Sequence, residues 1–381
     1  MQDNEARQWA RKIWNKIEVK ISAECDRIGS KIPYIARNGK YEDVMAKDPY
    51  WWTNGFWAGI LWLLYQDSKE EKYLTAARGV EDRLDECLAG FTGLHHDVGF
   101  MWLHTAVLDY RLTKQERSLE RALHAATILA GRFNPGGQFI RAWNGDKTGW
   151  MIIDCMMNLA LLYWASEQTG DPRFCRIAIN HADTALKYLV RDDGSCNHIG
   201  VLDPDQPELL ETPAGQGYAS GSSWTRGQAW GLYGFAISAA HTKAVNPERS
   251  DSYLSASKRI AHYFIASVAS YGFIPPIDFR GPREPETKDS SAGTIAASGL
   301  LQLADLVDAS ERQFYTDAAL GILKAIDETC CDWDPARDSI VQEGSCAYHC
   351  KSEERHIPLI YGDYFFIEGA HRLLHPDFKV W

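Results

Sequence analysis

One acidic residue lies in the middle of an apolar segment. Residues 150–164 read Trp-Met-Ile-Ile-Asp-Cys-Met-Met-Asn-Leu-Ala-Leu-Leu-Tyr-Trp, interrupted by Asp154 and Asn158. The pattern predicts a helix buried on all sides, with these two polar residues on one face. A buried carboxylate costs free energy unless it is paired or its pKa is raised. An aspartate at a helix start is often an N-cap, the role we assign to Asp289 and Asp363, but that role explains Asp154 less well. We therefore expect Asp154 to be an acid/base catalyst facing a cavity.

A second carboxyl, Asp97, directly follows His95 and His96. If Asp97 and Asp154 share a cavity, they push each other's pKa values apart, with the more buried carboxyl protonated and the more hydrated one ionised. A His-His-Asp run can also ligate a metal, but ligands adjacent in sequence are expected to point apart. We therefore favour a site without metal, in which Asp97 is the second catalytic carboxyl and His96 orients it or contacts the substrate.

Arg226 stands at the beginning of another apolar segment, in the run Ser222–Trp230. One interpretation is a buried Arg–Asp pair that serves the structure. The other is a clamp for a substrate carboxylate, because the guanidinium offers a bidentate fork and helix N-termini add positive potential. His198 and Gln216, in the long loop before Arg226, are further candidates, with simple loop structure as an equally good alternative.

Tryptophans concentrate where loops are expected to enter helices. The chain has 14 Trp and 17 Tyr, and such residues are first of all core residues. Several of them next to polar candidates nevertheless favour stacking walls for a sugar ring. The residues concerned are Trp51, Trp52, Trp57, Trp143, Trp224 and Trp230.

Two kinds of helix must position these residues. Amphipathic segments with charged faces alternate with segments that are apolar nearly all round and rich in small residues. Six of each predict six helical hairpins, closed into an all-α (α/α)6 barrel with parallel inner helices, as a single domain over residues 1–381. The expected outer helices are 5–28, 70–89, 115–133, 171–190, 250–268 and 310–328, and the inner ones are 54–66, 97–112, 150–168, 225–244, 290–307 and 362–374.

Parallel inner helices would place all of their N-termini at one rim. The polar residues of the inner segments cluster at those starts, and the long loops 191–224, 269–289 and 329–361 fall at the same rim. Loops gathered at one end of a rigid scaffold are typical of a catalytic cavity. We expect only short strands, near 138–142 and 272–278.

Composition excludes several classes of partner. The 381 residues include 40 Lys and Arg against 51 Asp and Glu, a formal net charge of −11. This charge argues against nucleic acid or an anionic membrane as partner, although a local pocket can still bind a small anion. Nine scattered cysteines favour reduced thiols and a cytoplasmic protein, and we find neither a signal peptide nor an apolar run of membrane-spanning length.

Six short segments contain most of these candidates. They are Trp52-Thr53-Asn54-Gly55-Phe56-Trp57, His95-His96-Asp97-Val98-Gly99-Phe100, Ile152-Ile153-Asp154-Cys155, Ser223-Trp224-Thr225-Arg226-Gly227-Gln228-Ala229-Trp230-Gly231, Lys288-Asp289-Ser290-Ser291-Ala292 and Tyr361-Gly362-Asp363-Tyr364. At these segments, and nearly end to end, the chain resembles the unsaturated glucuronyl hydrolases, glycoside hydrolase family 88. The resemblance implies an (α/α)6 barrel and neither a metal nor an organic cofactor.

The resemblance also implies roles for individual residues. Asp154 matches the family's general acid/base, and Asp97 matches its second catalytic aspartate. The implied contacts to substrate are Trp52, Trp143, His198, Gln216, Trp224 and Arg226.

The implied reaction releases an unsaturated (4-deoxy-4,5-ene) uronic acid from the non-reducing end of lyase-generated di- and oligosaccharides of glycosaminoglycan, gellan or xanthan type. One carboxyl, Asp154, can protonate C4 of the vinyl ether and then take a proton from the water that adds at C5. Asp97 would be ionised nearby, and Asn158 would orient Asp154. The alternatives are an unsaturated rhamnogalacturonyl hydrolase acting on pectin fragments, a non-catalytic sugar-binding protein and a conventional inverting glycosidase.

Overall fold

Helices make up most of residues 2–381, which the computed structural model describes, with side chains from Glu5 onward. A π-helical turn, Leu103–Val107, joins the helical segments Val98–Trp102 and Leu108–Thr113 into one bulged inner helix. In chain order the helices are α1 (Gln2–Ile28), α2 (Phe56–Ser68), α3 (Glu71–Gly90), α4 (Val98–Trp102), α5 (Leu108–Thr113), α6 (Glu116–Ala130), α7 (Cys155–Thr169), α8 (Pro172–Tyr188), α9 (Thr225–Thr242), α10 (Pro247–Ala269), α11 (Ser290–Ala304), α12 (Ala309–Cys330) and α13 (Ile360–Leu374). The strands are β1 (Ala36–Arg37), β2 (Lys40–Tyr41), β3 (Phe133–Asn134), β4 (Phe139–Ile140), β5 (Trp150–Ile152), β6 (Ile199–Leu202) and β7 (Leu209–Glu211).

Six helical units form a closed inner ring. Each packs against the next in the order α2, α4–α5, α7, α9, α11, α13 and back to α2. The remaining helices lie outside, and α1 packs against α13, so the two ends of the described chain meet. A short turn leads from each inner helix before α13 to the following outer helix, and a longer connection leads from each outer helix to the next inner helix, so the inner helices run in one direction. This confirms the predicted (α/α)6 barrel with parallel inner helices.

The residue pattern explains which helices face inward. Every residue of α11, Ser290–Ala304, is buried, and its small side chains let neighbours pack on all sides. Helix α8 buries only one stripe, beginning at Phe174. Its start is set by Asp171, whose side chain accepts the Arg173 N–H, and by Pro172 at the first helical position. The alternation of these two patterns therefore separates the inner ring from the outer ring.

Aromatic side chains fill the barrel axis. The Trp230 ring lies 5.1 Å from that of Phe100 and 5.4 Å from that of Phe365, between centroids. Trp381 stacks on Phe365 at 6.0 Å and donates its indole N–H to Glu368 Oε1 at 2.7 Å. Because this core occupies the axis, a cavity opens at each rim instead of along the axis.

A strand replaces the first part of one predicted helix. Residues Trp150–Ile152 form β5, which pairs antiparallel with β6, and β6 pairs with β7. The helix expected from residue 150 begins only at Cys155. A short apolar run suits a buried strand as well as a buried helix, so its composition could not locate this boundary. Gly149 permits the close approach, since a Cβ there would lie 1.9 Å from the Leu202 carbonyl oxygen.

One of the two expected strands is present. Strand β4 lies inside the predicted range 138–142 and pairs with β3, which lies before it. Residues 272–278 form only single bridges, from Pro276 to Lys288 and from Asp278 to Trp224. The β1–β2 hairpin and the β5–β7 sheet were not predicted, because strands of two to four residues are too short to show a period of two.

Candidate active site

A cavity of about 210 Å³ opens at the rim where the inner helices begin. Its walls come mainly from the loops that lead into α2, α4, α7 and α9. A larger cavity of about 490 Å³ lies at the opposite rim, but there the lining carboxyl Glu167 is already bonded to His241. Two carboxyls make the smaller cavity the candidate active site. It is lined by Trp51, Trp52, His95, His96, Asp97, Trp143, Ile152, Asp154, Gln216 and Arg226.

Asp154 occupies the N-cap position of α7, directly after the β5 segment. The prediction that it lies inside a helix was therefore wrong, because the chain turns from strand to helix at this point. Its side chain nevertheless accepts no capping hydrogen bond. Its Oδ1 is buried without a hydrogen-bond donor among the described residues, while the side chain keeps 13% exposure toward the cavity. The carboxyl is thus placed to exchange a proton with a bound molecule.

His198 lies against this carboxyl. Its Nε2 is 3.4 Å from Asp154 Oδ1, and its Nδ1 accepts the backbone N–H of Gln216 at 3.0 Å. Since Nδ1 is an acceptor, the proton of a neutral ring is assigned to Nε2, which faces Asp154. Trp224 packs on the ring at 4.3 Å. The structure therefore places His198 behind Asp154, and it is not among the residues lining the cavity.

Asp97 is held between two imidazoles. His95 Nδ1 lies 3.1 Å from Asp97 Oδ2, and His96 Nε2 lies 3.1 Å from Asp97 Oδ1. The expectation that these adjacent side chains point apart was wrong, because α4 begins only at Val98 and residues 95–97 turn outside regular helix geometry. His96 is fixed from behind, since its Nδ1 lies 2.9 Å from the Ala142 carbonyl oxygen.

The two histidines control the charge of Asp97. Burial alone would raise its pKa, but the charge of His96 and the contacts of both imidazoles hold it well below its usual range. Burial likewise opposes charge on His96, yet the neighbouring Asp97 raises the pKa of His96 above its ordinary value. The side chains of Asp97 and Asp154 are almost equally exposed, at 11% and 13%. Neighbouring charge therefore controls Asp97, and the predicted contrast in hydration between the two carboxyls is absent.

The His95, His96 and Asp97 ligand atoms lie within 4.8 Å of one another, dimensions that a divalent cation could fit. In the structure His95 Nδ1 and His96 Nε2 each lie 3.1 Å from an Asp97 oxygen, in ion-pair range but without hydrogen-bond geometry.

Arg226 forms a buried ion pair. Its Nη1 donates to Asp289 Oδ2 at 2.7 Å and to the Ser345 carbonyl at 2.7 Å, and its Nη2 donates to the Cys346 carbonyl at 2.6 Å. Burial opposes the charge, but Tyr361 and Asp289 raise the pKa of Arg226. Of the two interpretations left open, the structure thus shows the buried pair. These bonds use three of the five guanidinium N–H groups, and Arg226 still lines the cavity.

The remaining predicted residues divide into walls and supports. Trp52 and Trp143 line the cavity as partly buried walls. Gln216 also lines it, while its Nε2 donates to the Cys346 carbonyl at 2.7 Å. Trp224 is 3% exposed and lies behind the cavity, under the Arg226 guanidinium at 4.6 Å.

The family model described as Glycosyl Hydrolase Family 88 matches residues 25–263. The chain is 37% identical over 359 residues to the unsaturated glucuronyl hydrolase of Bacillus sp. (strain GL1), covering 91% of this chain and 92% of that one. This chain belongs to glycoside hydrolase family 88. The family resemblance noted in the sequence motifs is thereby confirmed.

Two further relatives extend the comparison for this family 88 protein. It is 32% identical over 344 residues to the unsaturated chondroitin disaccharide hydrolase of Streptococcus pyogenes serotype M1, covering 87% of this chain and 82% of that one. A solved structure of a UGL variant with dGlcA-Glc-Rha-Glc matches with a TM-score of 0.88 at 34% identity, over 96% of each chain.

In this family 88 barrel, Asn158 ties the two carboxyl-bearing segments together. Its Oδ1 accepts the Phe100 backbone N–H at 2.8 Å, and its Nδ2 donates to the Asp154 backbone carbonyl at 3.3 Å. It therefore does not contact the Asp154 carboxyl, and the prediction that it orients that group directly was wrong. Gly99 allows the close packing, since a Cβ there would lie 2.6 Å from Asn158 Cα.

Sequence reasoning missed two residues that contact the candidate site of this family 88 protein. Asp289 was predicted as an N-cap, and it does occupy the N-cap position of α11, but it pairs with Arg226 instead of capping. Tyr361 lies under both Arg226, at 5.3 Å, and Trp52, at 4.8 Å. The sequence could have indicated Asp289 as this partner, because a buried arginine on one inner helix requires a carboxylate, and Asp289 stands at the start of a neighbouring inner helix.

Proposed function

We propose that this protein is a hydrolase that removes an unsaturated (4-deoxy-4,5-ene) uronic acid from the non-reducing end of lyase-generated di- and oligosaccharides. The observation that carries the proposal is the pair Asp97 and Asp154 in one aromatic-walled cavity. The names of the relatives, and the dGlcA-containing ligand of the solved UGL structure, support this substrate class. Glycosaminoglycan, gellan and xanthan fragments are the candidate sources.

Asp154 performs the proton transfers in the proposed mechanism. In its acid form it donates a proton to C4 of the vinyl ether, which leaves an oxocarbenium-like centre at C5. The resulting carboxylate then takes a proton from the water that adds to C5. The hemiketal opens to a ketone at C5, and the hemiacetal left at C1 releases the next sugar. One carboxyl acts first as acid and then as base, so the site needs no second proton carrier.

Asp97 supplies negative charge where the reaction develops positive charge. Its low pKa keeps it ionised, so it can stabilise the C5 cation electrostatically. His96 and His95 keep the carboxylate in place and partly balance its charge.

The substrate carboxylate is assigned to the side of the cavity formed by Arg226 and Gln216. Arg226 retains two N–H groups beyond those given to Asp289, Ser345 and Cys346. We place the sugar ring between the walls formed by Trp52 and Trp143, since apolar ring faces stack on aromatic side chains.

The decisive experiment is a substrate panel. Purified protein is mixed with unsaturated disaccharides from glycosaminoglycan, gellan, xanthan and pectin lyases, and loss of the enoate absorbance is followed. Asp154→Asn should be folded and inactive, whereas Asp192→Asn, an exposed carboxyl outside the cavity, should match wild type. No turnover of any substrate by wild type would refute the proposal. Turnover of the pectin fragment alone would instead identify an unsaturated rhamnogalacturonyl hydrolase.

We further propose a cytoplasmic location and a single catalytic domain over residues 1–381. All nine cysteines are free thiols in the structure, which favours a reducing compartment. No helix among residues 2–381 is both long and apolar enough to cross a lipid bilayer. One hydrophobic core includes residues from Ala10 to Trp381, which supports a single folding unit.

A further inference from the structure

Arg132 uses its whole guanidinium to hold two loops of the cavity rim. It lies two residues after the end of α6 and is partly buried. A guanidinium has five N–H groups, and here five hydrogen bonds reach acceptors on the two loops. Nε donates to the Arg141 carbonyl at 3.0 Å, Nη1 to the Leu94 carbonyl at 3.1 Å and Asn144 Oδ1 at 2.8 Å, and Nη2 to the Ala142 and Trp143 carbonyls at 3.2 and 3.1 Å.

These acceptors stand next to residues of the cavity. Leu94 immediately precedes the His95-His96-Asp97 cluster, and the other loop carries the wall residue Trp143. The two loops are also joined directly, since Asn144 Nδ2 donates to the Leu94 carbonyl at 3.2 Å. Arg132 thus fixes the distance between the Asp97 cluster and the aromatic wall.

The Ala142 carbonyl connects Arg132 to the charged cluster. This oxygen receives the His96 backbone N–H at 3.2 Å and lies 2.9 Å from His96 Nδ1, besides accepting from Arg132. With one proton on Nδ1 bonded to this oxygen, Nε2 carries a proton toward Asp97 only when the imidazole is charged, so the carbonyl favours the charged ring. A displacement of the carbonyl would therefore rotate the imidazole that holds Asp97.

Arg132 has no ion-pair partner among the residues whose side chains are described. All its acceptors are neutral carbonyl or amide oxygens. Burial and the nearby Arg141 lower its pKa to about 10, so it remains a cation at neutral pH. Its charge is thus bonded only to neutral acceptors, behind the loop that carries Asp97, whose carboxylate acts on it through space.

We propose that Arg132 is a positioning residue for the hydrolase reaction, which sets the His96–Asp97 pair and the Trp143 wall without touching substrate. This inference rests on the proposed function. It requires arginine in particular, because a lysine would keep the charge but place three donors at one point instead of a planar fork of five. The guanidinium is needed for geometry, and its charge alone does not suffice.

The test compares Arg132→Lys and Arg132→Met with wild type and with Arg141→Lys. Arg141 is a matched control, since its side chain donates to the Lys147 and Gly145 carbonyls and not to the 94–97 loop. The first readout is hydrogen–deuterium exchange, which needs no substrate. Both Arg132 variants should exchange faster in residues 91–97 and 141–145, while the Arg141 variant should exchange faster only around 145–147.

The second readout is the pH profile of kcat and kcat/KM. Both Arg132 variants should lose about 10²-fold in kcat, the usual scale for a displaced catalytic group, with a smaller change in KM. In Arg132→Lys, which keeps the positive charge, the alkaline limb should move to lower pH, because the displaced Ala142 oxygen no longer favours charged His96. The titratable and charged groups that act on His96 or stand beside it are His95, Asp97, Asp154, His181 and Arg132.

Unchanged exchange in both loops would overturn the inference. So would an Arg132→Lys variant with wild-type kcat and an unmoved alkaline limb. If wild type turned over no substrate, the proposed function would fail, and hydrogen–deuterium exchange would still decide whether Arg132 orders the two loops.

Discussion

His198 Nε2 lies 3.4 Å from Asp154 Oδ1, while the opposite ring nitrogen accepts the Gln216 backbone N–H at 3.0 Å. The second contact assigns the proton of a neutral ring to Nε2, the nitrogen that faces the carboxyl without forming a hydrogen bond to it. A loop amide thereby controls the environment of the proposed proton donor through an intervening imidazole. The contact links the loop before α9 to the start of α7, two segments distant in sequence.

Substitution of His198 should separate its two contacts. Glutamine can place an amide N–H near the Nε2 position, and asparagine can place an oxygen near the Nδ1 position. If the contact with Asp154 matters for catalysis, His198→Gln should retain more kcat than His198→Asn, and His198→Ala should lose about 10²-fold. The reverse order of the first two variants would show that anchoring the loop is the main role. Steady-state kinetics with thermal melts distinguishes these outcomes.

Gly215 should be required beside His198. Its φ is +60°, and a Cβ there would lie 2.1 Å from His198 Nδ1. Gly215→Ala should therefore cost about 1–3 kcal/mol of stability from backbone strain and also lower kcat by displacing the imidazole. Gly221→Ala is the matched control, because Gly221 has φ +76° in the same loop with nothing within 4 Å of its Cβ position. That variant should lose similar stability and keep its kcat. Equal kinetics for both variants would remove the steric argument.

The His96–Asp97 pair should set an alkaline limit on activity. The raised pKa of His96 keeps the pair charged below that pKa, and the pair is lost as the pH rises through it. The lowered pKa of Asp97 acts at the other end, contributing stability above the unfolded value of about 3.9 that disappears as the pH falls through the folded value. His96→Gln should therefore lower kcat/KM and flatten its alkaline limb. An unmoved limb in this variant would assign the titration to another group.

Breaking the Arg226–Asp289 pair should lower the free energy of unfolding. Asp289→Asn leaves a guanidinium buried without its counter-charge and should destabilise the protein by about 3–5 kcal/mol. Arg226→Met combined with Asp289→Asn should cost less than the sum of the two single changes, because neither charge is then left unpaired. Denaturant unfolding of the three variants measures this coupling, and strict additivity would contradict the buried pair.

The sequence by itself determined the architecture and brought Asp97, Asp154 and Arg226 to one rim. Alternation of all-round apolar and amphipathic helices requires an inner and an outer ring, because each apolar surface must be buried. Short turns after the inner helices then make those helices parallel, which brings their starts to one rim. Asp97, Asp154 and Arg226 could be placed at that rim because each belongs to such a start.

Only the tertiary structure decided which partner each side chain has. Asp154 follows a strand, His95 and His96 converge on Asp97, and Arg226 pairs with Asp289. Each of these contacts depends on loop geometry or on segments far apart in the chain, about which periodicity carries no information. An apolar run is compatible with strand and helix alike, and an arginine at a helix start suits a clamp as well as an ion pair. Packing selects among these alternatives, because each buried charge needs a specific neighbour.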